Sequence, residues 1–183
     1  YQEWHELDPA STPPLRVSNR ARPTKRFYVK ATDMHTIATA TAATYEGSGS
    51  RTFTDAASGT DEVVFEFPTP YDLDASVTND FVVELAYSAA AGAGTVVRWG
   101  GTFKSLADDG DMQAAYAAYA YTLDTLTGND DQERVDVLNV TGVTAGDFVR
   151  VKLTRGDDGD VSDTHNSSAQ LLYARVRYTA ITP

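Results

Sequence analysis

The sequence predicts an all-β protein, a two-sheet antiparallel sandwich of jelly-roll type with an extended N-terminal arm. Three observations predict it. First, apolar residues alternate with polar ones near the C-terminus. Val149, Val151 and Leu153 alternate with Arg150 and Lys152, and Leu172, Ala174, Val176 and Tyr178 alternate with Tyr173, Arg175 and Arg177. A period of two with one apolar face marks a half-buried strand. Second, the pattern recurs upstream, in Val63, Phe65 and Phe67, in Phe81, Val83, Leu85 and Tyr87, and in Val97, Trp99 and Phe103. Third, turn chemistry separates the runs: Gly47-Ser48-Gly49, Pro68-Thr69-Pro70, Ala91-Gly92-Ala93-Gly94, Asp109-Gly110-Asp111, Gly128-Asn129-Asp130 and Gly156 to Asp160. Many short strands between regular turns indicate a sandwich or barrel.

In chain order, residues 1–26 read as an arm. Pro9, Pro13, Pro14 and Pro23 interrupt them, and no periodicity lasts. Proline lacks the amide proton and holds its predecessor extended. Trp4, Leu7 and Leu15 are spaced as anchors, and Arg16, Arg20, Arg22, Lys25 and Arg26 make the segment basic. We expect these eight residues to contact other chains. The body is expected over residues 27–183, with strands at 27–31, 35–42, 63–67, 81–88, 95–104, 116–124, 134–140, 147–155 and 170–179. Ala114 to Tyr121 is ambiguous: its alanines favour helix, its Tyr119 and Tyr121 spacing favours strand.

Composition narrows the function. The chain has 183 residues, enough for one core. It has no cysteine, which excludes disulfides and thiolate chemistry. No apolar run approaches the length that spans a bilayer. The net charge is −11, yet residues 1–30 hold six basic residues against three acids. So acidic a body repels nucleic acid and anionic membranes, and neither is expected as a partner.

No motif for catalysis, cofactor or metal stands out. Asp157, Asp158 and Asp160, followed by Asp163, could offer oxygens to Ca²⁺, as could Asp108, Asp109 and Asp111. The spacing is not that of an EF-hand, and hairpin turns use the same residues. We expect solvated turns and no metal. His5, His35 and His165 lack zinc-ligand spacing. His165 lies near Asp163 and Ser167, but no Gly-x-Ser-x-Gly elbow occurs, and it reads as a loop residue before the last strand. Tyr116, Tyr119, Tyr121 and Trp99 could stack on sugar rings, though period-two packing already accounts for Trp99.

Residues 63–178 resemble single jelly-roll virion proteins of tailed bacteriophages, especially marine ones. The pieces that carry the resemblance are Phe65-Glu66-Phe67-Pro68, Pro70-Tyr71-Asp72, Phe81 to Tyr87, Val96-Val97-Arg98-Trp99, Ala145-Gly146-Asp147, Leu153-Thr154-Arg155, Asp163-Thr164 and Leu171-Leu172 to Tyr178. Gly156 and the doubled acidic turn after it depart from the pattern, and the arm lies outside it. The resemblance implies a structural role on the virion, in a homotrimer, with no catalytic residue.

The leading expectation is therefore a capsid decoration (cement) protein on the exterior of a phage head, lashed by its arm to the major capsid protein or to a neighbouring copy. The alternative is an adhesin or fibre domain that binds host glycan through loops and the Tyr116–Tyr121 segment. An enzyme is the least expected reading.

Overall fold

The computed structural model describes residues 22–38, 41–43, 49–54, 61–90, 92–107, 110–111, 114–156 and 162–181. Among them are eleven strands and one three-residue 3₁₀ turn. The strands are β1 (Thr24–Lys30), β2 (His35–Ala38), β3 (Thr41–Ala43), β4 (Ser50–Phe53), β5 (Asp61–Pro68), β6 (Phe81–Ala89), β7 (Val96–Leu106), β8 (Ala120–Thr125), β9 (Gln132–Val140), β10 (Phe148–Arg155) and β11 (Ala169–Thr179). All pairings are antiparallel. One sheet has six strands in the order β3-β4-β11-β6-β9, with β1 also paired to β11; the other has five, in the order β2-β5-β10-β7-β8. The all-β, two-sheet class predicted from period two is the class observed.

The core lies between the sheets. Val63, Phe65 and Phe67 of β5 and Val149, Val151 and Leu153 of β10 face Phe81, Val83, Leu85 and Tyr87 of β6 and Ala174 and Val176 of β11. These side chains are 0–5% exposed, so both inner faces are dry. Burying a large apolar side chain contributes about 1.5–3 kcal/mol. Two edge-to-face contacts place Trp99 against Phe53 and Tyr87, with ring centroids 5.2 and 5.0 Å away.

Four details differ from the sequence reading. The first ladder begins at Thr24, not Phe27, so Lys25 and Arg26 belong to the sheet rather than to an arm ending at residue 26. The pattern hides this because Lys25 faces the same side as Phe27 and Val29 yet leads its charge out to Asp72, 2.5 Å away. Residues 35–42 are two strands in opposite sheets, β2 and β3, instead of one. β4 went unread because Arg51 breaks its alternation; its guanidinium donates instead to the carbonyls of Ala31 and Met34. In β11 the register shifts between Leu171 and Tyr173. That bulge buries Leu171, at 0%, where strict alternation from Tyr178 would place Leu172.

The acidic stretch also divides. Residues 157–161 lie outside the described residues. Asp163 is not a solvated turn residue: its carboxylate lies 3.3 Å from Arg155 Nε, with both side chains under a tenth exposed. His165 precedes β11 as expected. It is buried, and its Nδ1 lies 3.1 Å from Thr95 Oγ1.

Candidate functional site

The tyrosines that stood out in the sequence gather on the solvent side of the five-stranded sheet. In β7, Val97 and Trp99 point inward, so Arg98, Gly100, Thr102 and Lys104 point outward. In β10 the outward residues are Arg150 and Lys152, and in β5 they are Glu62 and Glu66. Residues 114–119 are neither the helix nor the strand that their composition suggested. They lie along β7 and fold onto this face. The Ala117 amide donates to the Phe103 carbonyl (3.0 Å), Thr102 Oγ1 to the Ala117 carbonyl (2.6 Å), and Lys104 Nζ to the Ala114 carbonyl (3.3 Å). The strand proper starts only at Ala120.

This crossing segment sets the aromatic rings. Tyr119 and Tyr121 are stacked, with centroids 5.8 Å apart and planes 26° apart. The Arg98 guanidinium carbon lies 3.6 Å from the Tyr121 centroid. Tyr121 leans over Gly100, where a Cβ would lie 2.7 Å from its ring and 2.7 Å from Thr154 Cγ2. A side chain at Gly100 would therefore push the ring off the sheet. Tyr116 rests on two ammonium groups, Lys152 Nζ at 4.6 Å and Lys104 Nζ at 5.1 Å from its centroid. Such contacts contribute about 0.5–2 kcal/mol each, more where desolvated.

The polar groups form a connected row. Tyr119 donates its hydroxyl to Glu62, which also pairs with Lys152, and Arg150 pairs with Glu66. Burial raises the Tyr116 and Tyr119 phenols, and for Tyr119 the neighbouring Glu62 carboxylate raises it further. Both hydroxyls are thus neutral at physiological pH. The face combines aromatic rings, neutral hydroxyls, carboxylates and fixed cations. Tyr121 and Leu123 on β8 remain 38% and 54% exposed.

Trp99, grouped with the tyrosines in the sequence, is not part of this surface: it is fully buried on the opposite side of its strand. On the inner side of β8, Tyr87 donates to Asp124 at 2.8 Å. Burial raises the Asp124 carboxyl, and the Tyr87 hydrogen bond only partly offsets that. A raised acid favours the folded protein when protonated. Its contribution is complete below the unfolded value, 3.8, and fades as pH rises through the higher folded value. Asp124→Asn keeps an acceptor for Tyr87 without the charge. Urea titrations of this variant should give a flatter stability profile on the acid side than wild type, with no loss at neutral pH. A loss at neutral pH would show that the carboxylate is needed as a charge.

The eight residues expected to contact other chains separate into two groups. Trp4, Leu7, Leu15, Arg16 and Arg20 lie outside the described residues. Arg22 and Lys25 have partners within the chain, Asp74 at 3.0 Å and Asp72 at 2.5 Å. Arg26 sits in β1 on the outer face of the six-stranded sheet. The described residues contain no cluster of three or more His, Asp or Glu that could hold a metal ion.

No family model matches the chain, and no curated protein matches it. Its fold is similar to several solved structures. One is the CBM36-1 domain of a multidomain xylanase from the hindgut metagenome of Trinervitermes trinervoides, at 11% identity and a TM-score of 0.46, over 86% of this chain and all of that one. Another is the GH26-CBM35 β-(1,4)-mannanase of Podospora anserina, at 14% identity and 0.48, over 86% of this chain and 28% of that one. A third is TmCBM61 in complex with β-1,4-galactotriose, at 10% identity and 0.45, over 82% of this chain and 90% of that one. All three are distant likenesses of general shape.

Proposed function

We propose that this chain is a non-catalytic carbohydrate-binding module whose ligand lies on the outer face of the five-stranded sheet. The observation that carries the reading is the gathering of Tyr116, Tyr119 and Tyr121 with Arg98, Arg150, Lys152, Glu62 and Glu66 on one solvent-facing surface. Sugar rings present apolar C–H faces and rims of hydroxyls. Aromatic side chains take the first, and fixed donors and acceptors take the second. This is the glycan-binding alternative of the sequence reading, and a virion fibre or tail domain could carry it. It takes precedence over capsid cement because its residues are built into the body. The cement reading draws its contacts from the arm, where Arg22 and Lys25 pair with Asp74 and Asp72 of the same chain.

The test is a glycan array followed by titration calorimetry on whatever is bound. The double variant Tyr119→Ala/Tyr121→Ala should weaken binding by about tenfold, since an aromatic contact is worth roughly 0.5–1.5 kcal/mol beyond its area. Circular dichroism should show the fold retained, with thermal unfolding lowered by the lost Tyr121–Arg98 contact and Tyr119–Glu62 hydrogen bond. Failure of the wild type to bind any glycan, or undiminished binding by the variant, would refute the reading.

A further inference from the structure

The outer face of the other sheet carries an arrangement that the tyrosine site does not use. Registers across β1, β11, β6 and β9 align its residues in rows. Lys30, Tyr173, Ala86 and Arg134 form one row, and Tyr28, Arg175, Glu84 and Asp136 the next. Arg26, Arg177, Val82 and Asn139 form the third. Five cations thus share the face with two carboxylates, in a chain whose net charge is −11. At the centre the charges are paired. Arg177 Nη2 lies 2.6 Å from both oxygens of Asp136, and Arg175 pairs with Glu84. Arg26, Lys30 and Arg134 surround that centre and are exposed. Tyr28 is 53% exposed and meets Tyr173 edge-on at 5.4 Å.

We propose that this face is a second binding surface, for a carboxylated polysaccharide. The inference goes beyond the carbohydrate site on the five-stranded sheet and does not depend on it. Charge complementarity selects an anion. Guanidinium groups pair strongly with carboxylates, and two guanidiniums of this face already pair with one each, through a single Nη2. Size then selects a thin chain over a globular partner. Lys30 and Arg134 are three strand spacings apart, about 14 Å, and Lys30 and Arg26 are four residues apart along β1, about 13 Å. The patch is therefore roughly 200 Å², well below the ~800 Å² per partner of a stable protein interface. A few sugar rings fill it, with Tyr28 offering a surface for one of them. Linear charge density disfavours duplex DNA. With one charge per ~1.7 Å it would be repelled by the acidic remainder of the chain far more than a polymer with one charge per sugar ring.

The experiment measures binding of the full chain to five immobilised polymers: polygalacturonate, dextran sulfate, a neutral galactan, duplex DNA and poly-glutamate. Wild type should bind polygalacturonate best and lose affinity as salt rises. The triple variant Arg26→Gln/Lys30→Gln/Arg134→Gln should lose at least about tenfold, a modest sum for three charge-assisted contacts. Its circular dichroism should be unchanged, because all three side chains are exposed. Tyr119→Ala/Tyr121→Ala should bind polygalacturonate as wild type does. No binding, equal binding by the triple variant, or a preference for dextran sulfate, DNA or poly-glutamate would overturn the proposal. Loss of polygalacturonate in the tyrosine variant alone would also overturn it, while leaving the carbohydrate site on the five-stranded sheet intact.

Discussion

Arg155→Ala is expected to cost about 3–5 kcal/mol of folding stability, the range for removing one partner of a buried ion pair. Arg155 ends β10 with its side chain 1% exposed. Its guanidinium reaches Asp163 and the carbonyls of Phe53, Ser167 and His165. Asp163 in turn accepts from the amides of Arg98 and His165. One side chain thus ties the segment before β11 to both sheets. Alanine would leave a carboxylate and three carbonyls without this donor in a dry place. Lysine should rescue little, because an ammonium is a point charge that cannot reach in four directions along a fork. Urea unfolding measures the loss. A cost below about 1 kcal/mol would mean that solvent reaches the site and that the network is dispensable.

Trp99→Ala should destabilise by about 3–5 kcal/mol, as for other large-to-small changes at buried aromatic positions. Trp99 fills the centre of the sandwich between Phe53 of one sheet edge and Tyr87 of β6, all three 0% exposed. The rings meet edge to face, which adds to their area burial. A rigid sandwich cannot collapse fully around so large a void. Trp99→Phe should cost less than alanine. Trp99 also precedes Gly100, over which Tyr121 lies, so under the proposed function glycan binding should weaken in the alanine variant even where it remains folded. A stability loss as small as that of Tyr121→Ala would mean that the core relaxes around the gap.

Much of the fold was legible because a sheet's side chains repeat every two residues. The inward rows of β5, β6, β7 and β10 could be read from Phe65, Leu85, Trp99 and Val151 and their partners two residues away. Where the pattern misled, a polar or irregular residue had broken the period: Lys25 in β1, Arg51 in β4, the bulge at Leu172 in β11. The Ala114–Tyr121 segment was ambiguous for a different reason. Its conformation is decided by Thr102 and Lys104, whose side chains hold its carbonyls, and neither signal is local to the segment.

The sequence by itself determined the all-β class, the inward rows and the outward direction of Arg150, Lys152, Arg175 and Arg177. It also singled out Tyr116, Tyr119 and Tyr121. Only the tertiary structure decided what those side chains have for neighbours. It seats Tyr121 over Gly100 and beside Arg98, buries Trp99 beneath them, and turns Asp163 from a turn residue into the partner of Arg155. It also sorts the charge. Among the described residues, nine basic side chains lie on the two outer faces and four acidic ones. The physical reason is register. Arg26 becomes a neighbour of Arg177, and Lys30 of Tyr173, through a ladder between strands at opposite ends of the chain. Period two says which side of a sheet a residue takes, and only long-range pairing says who stands beside it.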